Sequence, residues 1–288
     1  MNYSGTFEKK LNKLIQCALA EDIGDGDHTT LACINTTQSG KAILKIKDEG
    51  VVAGVDVAEK IFAYSDSTSI IKKFKKDGDE MQPGEVAFEV EAKIYNILTC
   101  ERLVLNCMQR MSGIATLTKK YTDKLKGYHT RLLDTRKTTP NFRLLEKEAV
   151  KIGGGYNHRF GLYDMIMLKD NHIDYCGGLE PAITKAWNYV QKEKPGLKIE
   201  VETRNLDDVK KVMSIGKIDR IMLDNFTPDE ITEALKIING AYETEVSGGI
   251  NYENIELYAA TGVDFISSGA IIHQAQSVDL SLKAEIIQ

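Results

Sequence analysis

Cations in this chain stand directly after apolar, strand-like runs, where they could capture a small anionic ligand. Arg136 and Lys137 follow Leu132-Leu133-Asp134-Thr135, His158 and Arg159 follow Gly153-Gly154-Gly155, and Lys169 follows Met165-Ile166-Met167-Leu168. A cation at a strand end is anchored by the sheet while its head faces solvent, and a guanidinium fork matches a carboxylate or a phosphate in two hydrogen bonds. The set carries more positive charge than one phosphate needs, so it suits a ligand bearing both carboxylate and phosphate.

Two acids occupy similar positions. Glu202 closes Ile199-Glu200-Val201-Glu202 and Asp224 closes Ile221-Met222-Leu223-Asp224. Beside bound phosphates such carboxylates hold Mg²⁺ or contact sugar hydroxyls, and they can equally serve as general acid and base. Residue type alone does not separate these roles. Ser247-Gly248-Gly249 and Ser268-Gly269 lie ahead of Asn251 and Ala270, where helices are expected to begin. Small residues expose backbone N–H groups there, an arrangement that cradles phosphate oxygens.

The elements that must hold these residues follow from hydrophobic spacing. After Gly127, strand runs beginning near Arg131, Met165, Lys198, Arg220, Thr244 and Asp264 alternate with helical stretches at Phe142–Lys151, Leu179–Glu193, Asn205–Met213, Pro228–Ile238 and Tyr252–Ala260. A βα repeat implies parallel strands with crossover helices. No GxGxxG follows an early strand and there is no Walker A run, whereas polar residues end nearly every strand, as on the rim of a (β/α) barrel. With about six convincing strands by this count, against the usual eight, the expectation is an α/β fold with an incomplete TIM-like barrel.

Upstream, Leu11, Leu14, Ile15, Ala18 and Leu19 mark an amphipathic helix that stops before Glu21. The acidic, glycine-punctuated run from Glu21 to Thr30 lacks the spacing of a calcium loop and reads as a structured turn. Residues 40–95 carry short alternating runs separated by turn glycines, which predicts a small antiparallel sheet with a helix near Asp56–Tyr64. Leu98–Tyr121 is helical in pattern, with Arg102 and Asn106 on one face and a break expected at Ser112-Gly113.

A chain of 288 residues makes one or two domains. Its net charge of −5 argues against a broad nucleic-acid footprint. No apolar run approaches the length of a membrane span, and the polar N-terminus has no signal-peptide core, so a cytoplasmic protein is expected. Five cysteines with no CxxC pair disfavour a disulfide framework and a zinc knuckle.

Taken together, Asp134-Thr135-Arg136-Lys137-Thr138-Thr139-Pro140, the triple glycine with His158-Arg159, Leu168-Lys169-Asp170-Asn171-His172, Glu200-Val201-Glu202, Met222-Leu223-Asp224-Asn225-Phe226 and Glu245-Val246-Ser247-Gly248-Gly249-Ile250 resemble quinolinate phosphoribosyltransferase, also called nicotinate-nucleotide pyrophosphorylase (carboxylating). The run Glu21–Asp27 with Thr29-Thr30 is similar to that family's N-terminal signature. The resemblance implies an N-terminal α/β sandwich over 1–113, joined by the C-terminal tail 272–288, and an incomplete α/β barrel over 114–271. It implies a decarboxylating pentosyl transfer in NAD biosynthesis, Mg²⁺ with phosphoribosyl pyrophosphate, and no redox cofactor. It also implies a homodimer with Arg102 contributed across the interface. By the same resemblance Thr135, Arg136, His158, Arg159, Lys169 and the partner's Arg102 would hold quinolinate. Lys137, Lys169, Glu202, Asp224, Ser247, Gly248, Gly249, Ser268, Gly269, Ala270 and His273 would hold phosphoribosyl pyrophosphate, and Lys137, Lys169, Glu202 and Asp224 would be catalytic. Competing readings are a related transferase-like protein of molybdate-transport loci, a non-catalytic anion-binding barrel, and an aldolase or isomerase using Lys169 as a Schiff-base amine.

Overall fold

Successive residues of a strand face opposite sides of a sheet, and in this chain the two sides differ in kind. The computed structural model describes residues 6–285. It holds a six-stranded sheet in the spatial order Arg131–Leu133, Phe265–Ser267, Glu243–Ser247, Arg220–Asp224, Ile199–Thr203, Ile166–Leu168, every neighbouring pair parallel. One face carries Ile199, Val201, Ile221, Leu223, Val246, Ile266 and Leu132, all buried. The crossover helices Leu179–Glu193, Leu206–Ile215 and Pro228–Ile238 bring buried apolar stripes of their own, such as Ile183, Ala186 and Val190, or Ile231, Ala234 and Ile238. The opposite face carries Glu200, Glu202, Arg220, Asp224, Glu243, Glu245 and Ser247 in cross-strand register. The interior of this sheet is therefore polar and charged.

The sheet does not close. Among the described residues, only Tyr156 continues it beyond Arg131–Leu133, as a single parallel bridge to Leu133. That bridge is enough to deliver the chain to the same rim two residues later at His158.

By contact clustering, residues 120–137 and 155–271 form this unit, and residues 1–119, 138–154 and 272–288 form the other. The helix Arg143–Ile152 and the loop before it thus cluster with the N-terminal part, although the sequence expectation assigned them to the barrel. The reason lies in Glu146, fully buried, which accepts from Arg110 Nη2 at 2.9 Å and from Thr139 N at 2.8 Å. The same Arg110 donates to the carbonyls of Ile272 and Ala275.

That other unit contains an antiparallel sheet ordered Leu280–Glu285, Ser39–Ile46, Val86–Lys93, Ile70–Lys73, so the C-terminal tail does supply one of its strands. Leu44, Ile46, Phe88 and Val90 are buried, and the ring of Phe62 on the helix Val55–Ser65 stands edge-on to Phe88 at 6.3 Å. The N-terminal helix continues to Ile23, past its expected stop before Glu21, and Asp27 then caps His28–Cys33 by accepting from Thr30 N at 3.0 Å.

The break expected at Ser112-Gly113 does not occur: one helix runs from Ile94 to Lys124. Both residues are there for lateral contacts. Ser112 Oγ bridges the amide and carbonyl of Ala53, and a Cβ at position 113 would lie 1.9 Å from the carbonyl oxygen of Gln276. Replacing Gly113 by Ala should therefore lower stability by about 2 kcal/mol or more, as forced overpacking does. Urea unfolding of the variant against the parent protein measures it.

Candidate active site

Strand ends deliver most of the expected site residues of the parallel-sheet unit to one rim. Asp134, the first residue past its strand, is fully buried and accepts from His158 N at 2.8 Å, which ties the segment carrying His158 and Arg159 to the sheet. Thr135 Oγ1 accepts from Lys137 N at 3.0 Å and turns the chain so that Lys137 is exposed. Arg136 and Arg159 are both half-buried. Burial and the like charge of Arg136 lower the pKa of Arg159, while Glu200 opposes that shift. Arg159 Nη1 donates to Met165 O at 3.2 Å.

Across the rim, Lys169 Nζ donates to Glu202 Oε2 at 2.9 Å. On the next strand, Asp224 accepts from Ser247 Oγ at 2.5 Å and from Asn225 Nδ2 at 2.7 Å. Asn225 adopts a left-handed φ of 57°, and Gly248 lies against its side chain so closely that a Cβ there would sit 2.1 Å from Asn225 Oδ1. Glycine at 248 is thus a packing requirement as well as an opening for phosphate.

The helix expected to begin near Asn251 starts only at Ile255 and is five residues long, so the Ser247–Gly249 loop gains no strong helix end behind it. Ser268 is buried, its amide donating to Leu133 O at 3.1 Å and its hydroxyl to Ile250 O at 2.9 Å. It braces the loop, and Gly269 and Ala270, also buried, follow it. Arg102 and His273 belong to the other unit. Each is exposed there, Arg102 on the face of its helix that also carries Asn106.

Below the rim the polar face holds a cluster to which residue spacing alone assigned no role. His158 Nε2 stands 3.0 Å from Glu200 Oε2 and 3.3 Å from Glu245 Oε2, and Arg220 Nη1 is 2.8 Å from Glu245 Oε2. Both glutamates are 0% exposed. Arg220 also donates to Glu243 and lies 4.1 Å over the Phe265 ring. The visible signal was the period-two acids Glu200-x-Glu202 and Glu243-x-Glu245-x-Ser247, which only a polar sheet interior can accommodate.

Although its side chains match a metal-binding donor set in type, this cluster is not built as a metal site. Arg220 already neutralises Glu245, and Arg159 N donates to His158 Nδ1 at 2.6 Å, which uses that lone pair and leaves the imidazole hydrogen on Nε2.

Burial and Glu245 raise Glu200 to about 7. Burial disfavours the His158 cation, but the two carboxylates outweigh it and raise the pair's proton affinity at His158 to about 9. Folding thus retains one proton that the unfolded chain releases. That proton belongs to the coupled His158–Glu200 pair, because Glu245 is held low: burial pushes it up, but His158 and Arg220 outweigh burial. Net charge is the same wherever it sits.

Family models of the quinolinate phosphoribosyl transferase N-terminal and C-terminal domains match residues 27–112 and 114–283. The chain is a member of this quinolinate phosphoribosyltransferase family. Relatives include a quinolinate phosphoribosyltransferase [decarboxylating] of Nicotiana glauca, 41% identical over 96% of this chain and 82% of its own. A probable nicotinate-nucleotide pyrophosphorylase of Bacillus subtilis is 41% identical over 95% of this chain and 93% of its own. The solved nicotinate-nucleotide pyrophosphorylase of Francisella tularensis superposes with a TM-score of 0.88 at 38% identity, covering 98% of both chains. The quinolinate phosphoribosyltransferase fold thus accounts for the sandwich-like N-terminal unit and the open barrel alike.

Glu200 and His158 are raised above their unfolded values while Glu245 is lowered, so the share of stability that comes from Glu200 and His158 is present at low pH and is lost as pH rises through about 7 to 9. The expected slope approaches about 1.4 kcal/mol per pH unit for one retained proton. Chemical denaturation from pH 6 to 9 should show this decline in the parent protein and a flatter profile in Glu200→Gln.

Proposed function

We propose that this protein transfers the phosphoribosyl group of phosphoribosyl pyrophosphate to quinolinate with decarboxylation, yielding nicotinate mononucleotide, pyrophosphate and CO₂ for de novo NAD biosynthesis. The observation that carries this reading is the pairing of Arg136 with Arg159. Burial and the like charge of Arg136 lower the basicity of the half-buried Arg159, and a dianion bound beside the two guanidiniums would offset that repulsion. The adjacent carboxylates of quinolinate supply that charge, with Thr135 and Lys169 completing the pocket.

Phosphoribosyl pyrophosphate would lie over Lys137, the Ser247–Gly249 loop and Ser268–Ala270, and the family resemblance adds His273 to this set. Glu202 and Asp224 are on neighbouring strands, and each is already oriented by a donor, Lys169 for the first and Ser247 with Asn225 for the second. Two hard carboxylates fit Mg²⁺, which takes few protein ligands and fills its shell with water and substrate phosphates. When bound, the metal offsets charge on the departing pyrophosphate.

The residues' own work is positional and electrostatic. Glu202 and Asp224 hold the ribose hydroxyls and stabilise positive charge that grows on the sugar as its bond to pyrophosphate breaks, while Lys137 and Lys169 attract the leaving group. The pyridine nitrogen then bonds to the ribose carbon and becomes quaternary. Its positive charge accepts the electron pair left when the neighbouring carboxyl leaves as CO₂, and the ring carbon takes up a proton. A Schiff-base role for Lys169 fits poorly, because its ammonium is paired with Glu202 and its side chain is 47% exposed, whereas such amines are desolvated.

The buried, unpaired thiols Cys100 and Cys107 favour a reducing compartment, and we assign the reaction to the cytoplasm. The protein is proposed to act as a homodimer, each site completed by the partner's Arg102.

The deciding assay follows quinolinate absorbance with phosphoribosyl pyrophosphate and Mg²⁺, with nicotinate as comparison. Consumption of quinolinate alone is expected, and no consumption of quinolinate refutes the reading. Arg136→Ala should abolish turnover through loss of quinolinate binding. Mixed dimers of Arg102→Ala with Arg159→Ala should recover part of the activity that each lacks, and an absence of recovery refutes Arg102 acting in trans.

A further inference from the structure

The short loop that carries Arg136 and Lys137 is held at both ends. On the strand side Asp134 N donates to Tyr156 O at 3.0 Å, and Thr135 Oγ1 accepts from Lys137 N at 3.0 Å. On the far side the grip falls on two successive threonines. Thr138 Oγ1 accepts from Arg143 Nε at 2.9 Å, while Thr139 donates to Glu146 twice, from its amide at 2.8 Å and from its hydroxyl at 2.9 Å. Arg143 and Glu146 both stand in the first turn of the helix Arg143–Ile152.

Glu146 is itself immobilised. Arg110 donates to its Oε1 through Nε at 3.0 Å and Nη2 at 2.9 Å, and the same guanidinium donates to Ala275 O at 2.7 Å and Ile272 O at 2.8 Å. The Glu146 side chain is 0% exposed, whereas Thr139 is exposed. Water could satisfy an exposed amide and hydroxyl, so a fully buried charge is far more than Thr139 needs for its own sake. What such an anchor adds is a fixed backbone next to Lys137, which is exposed. A lysine is a point charge on a flexible stem, and where its ammonium meets a phosphate depends on how firmly its base is held.

We propose that Glu146, aimed by Arg110, is a positioning residue: through Thr139 it fixes the far end of the Arg136–Lys137 loop and so the point at which Lys137 meets the pyrophosphate of phosphoribosyl pyrophosphate. This rests on the transferase reading above and adds to it a residue that touches no substrate. Arg136 depends on Glu146 less than Lys137 does, because it lies nearer the strand end of the loop.

Glutamine at position 146 cannot serve both neighbours. With its amide oxygen toward Arg110, its NH₂ meets the Thr139 N–H donor to donor; turned over, it meets the guanidinium instead. Steady-state kinetics of Glu146→Gln should show the KM for phosphoribosyl pyrophosphate raised about tenfold, less than an ångström of misplacement can cause. The KM for quinolinate should stay near the parent value. Thr139→Val removes only the hydroxyl donor at an exposed position and should give the same selective rise, about threefold, as one lost hydrogen bond allows. Phe88→Leu, in the buried sheet core of the same unit, lowers stability without touching the loop and should move neither constant.

Equal rises in both constants for Glu146→Gln, or no rise in either, overturn the proposal, as does the selective rise appearing in Phe88→Leu. If Glu146→Gln does not fold, Thr139→Val decides by the same criterion. A parent protein that consumes no quinolinate refutes the transferase reading and this proposal with it. A parent that consumes it, with variants that are unselective, refutes the positioning role alone.

Discussion

Gathering cations at one end of a sheet is electrostatically unfavourable, and the opposing charge in this fold is buried directly beneath them. Glu200 and Glu245 face His158 and Arg220 in a fully enclosed cluster, and Glu200 acts on Arg159 against the repulsion of Arg136. Removing one member of such a set strands a buried charge, which typically costs about 3 to 5 kcal/mol, far more than an exposed ion pair is worth. The rim can be strongly positive because the layer below it is negative.

This constraint explains why the inner face of the sheet departs from the aliphatic filling usual for barrels. Inner positions at Glu200, Arg220, Glu243 and Glu245 form the electrostatic floor, and farther along the same face of these strands Glu202, Asp224 and Ser247 emerge at the rim as candidate site residues. Each strand thus contributes to both levels through its period-two alternation. The hydrophobic work is done on the opposite face, where the helices dock. The open edge follows from the one-residue bridge at Tyr156, which brings His158 and Arg159 to the rim without a full strand.

Support reaches the rim from small residues too. Gly248 exists so that Asn225 can lie against the loop and donate to Asp224, and Ser247 gives its hydroxyl to the same carboxylate. The loop expected to cradle phosphate is therefore also the device that orients an acid. On the other unit, Arg110 and Glu146 tie together the long helix, the loop after Thr138 and the C-terminal tail, so that segments far apart in the chain share one set of hydrogen bonds.

Local pattern was enough for much of this. Strand starts near Arg131, Arg220 and Thr244, the helices Leu179–Glu193 and Pro228–Ile238, and the run of polar strand ends at Lys169, Glu202 and Asp224 were all legible, because alternation and helical periodicity are properties of neighbouring residues. The motifs, being contiguous, also identified the family. What they could not reveal depends on contacts between distant segments. Gly113 resembled a helix break until the Gln276 carbonyl was seen against it, and residues 138–154 resembled part of the barrel until Glu146 was seen bonded to Arg110. Sequence determined which residues have the chemistry and on which face of each element they lie; the tertiary structure alone decided which of them meet, because a side chain's partner across a sheet is set by register and packing and not by its neighbours in the chain.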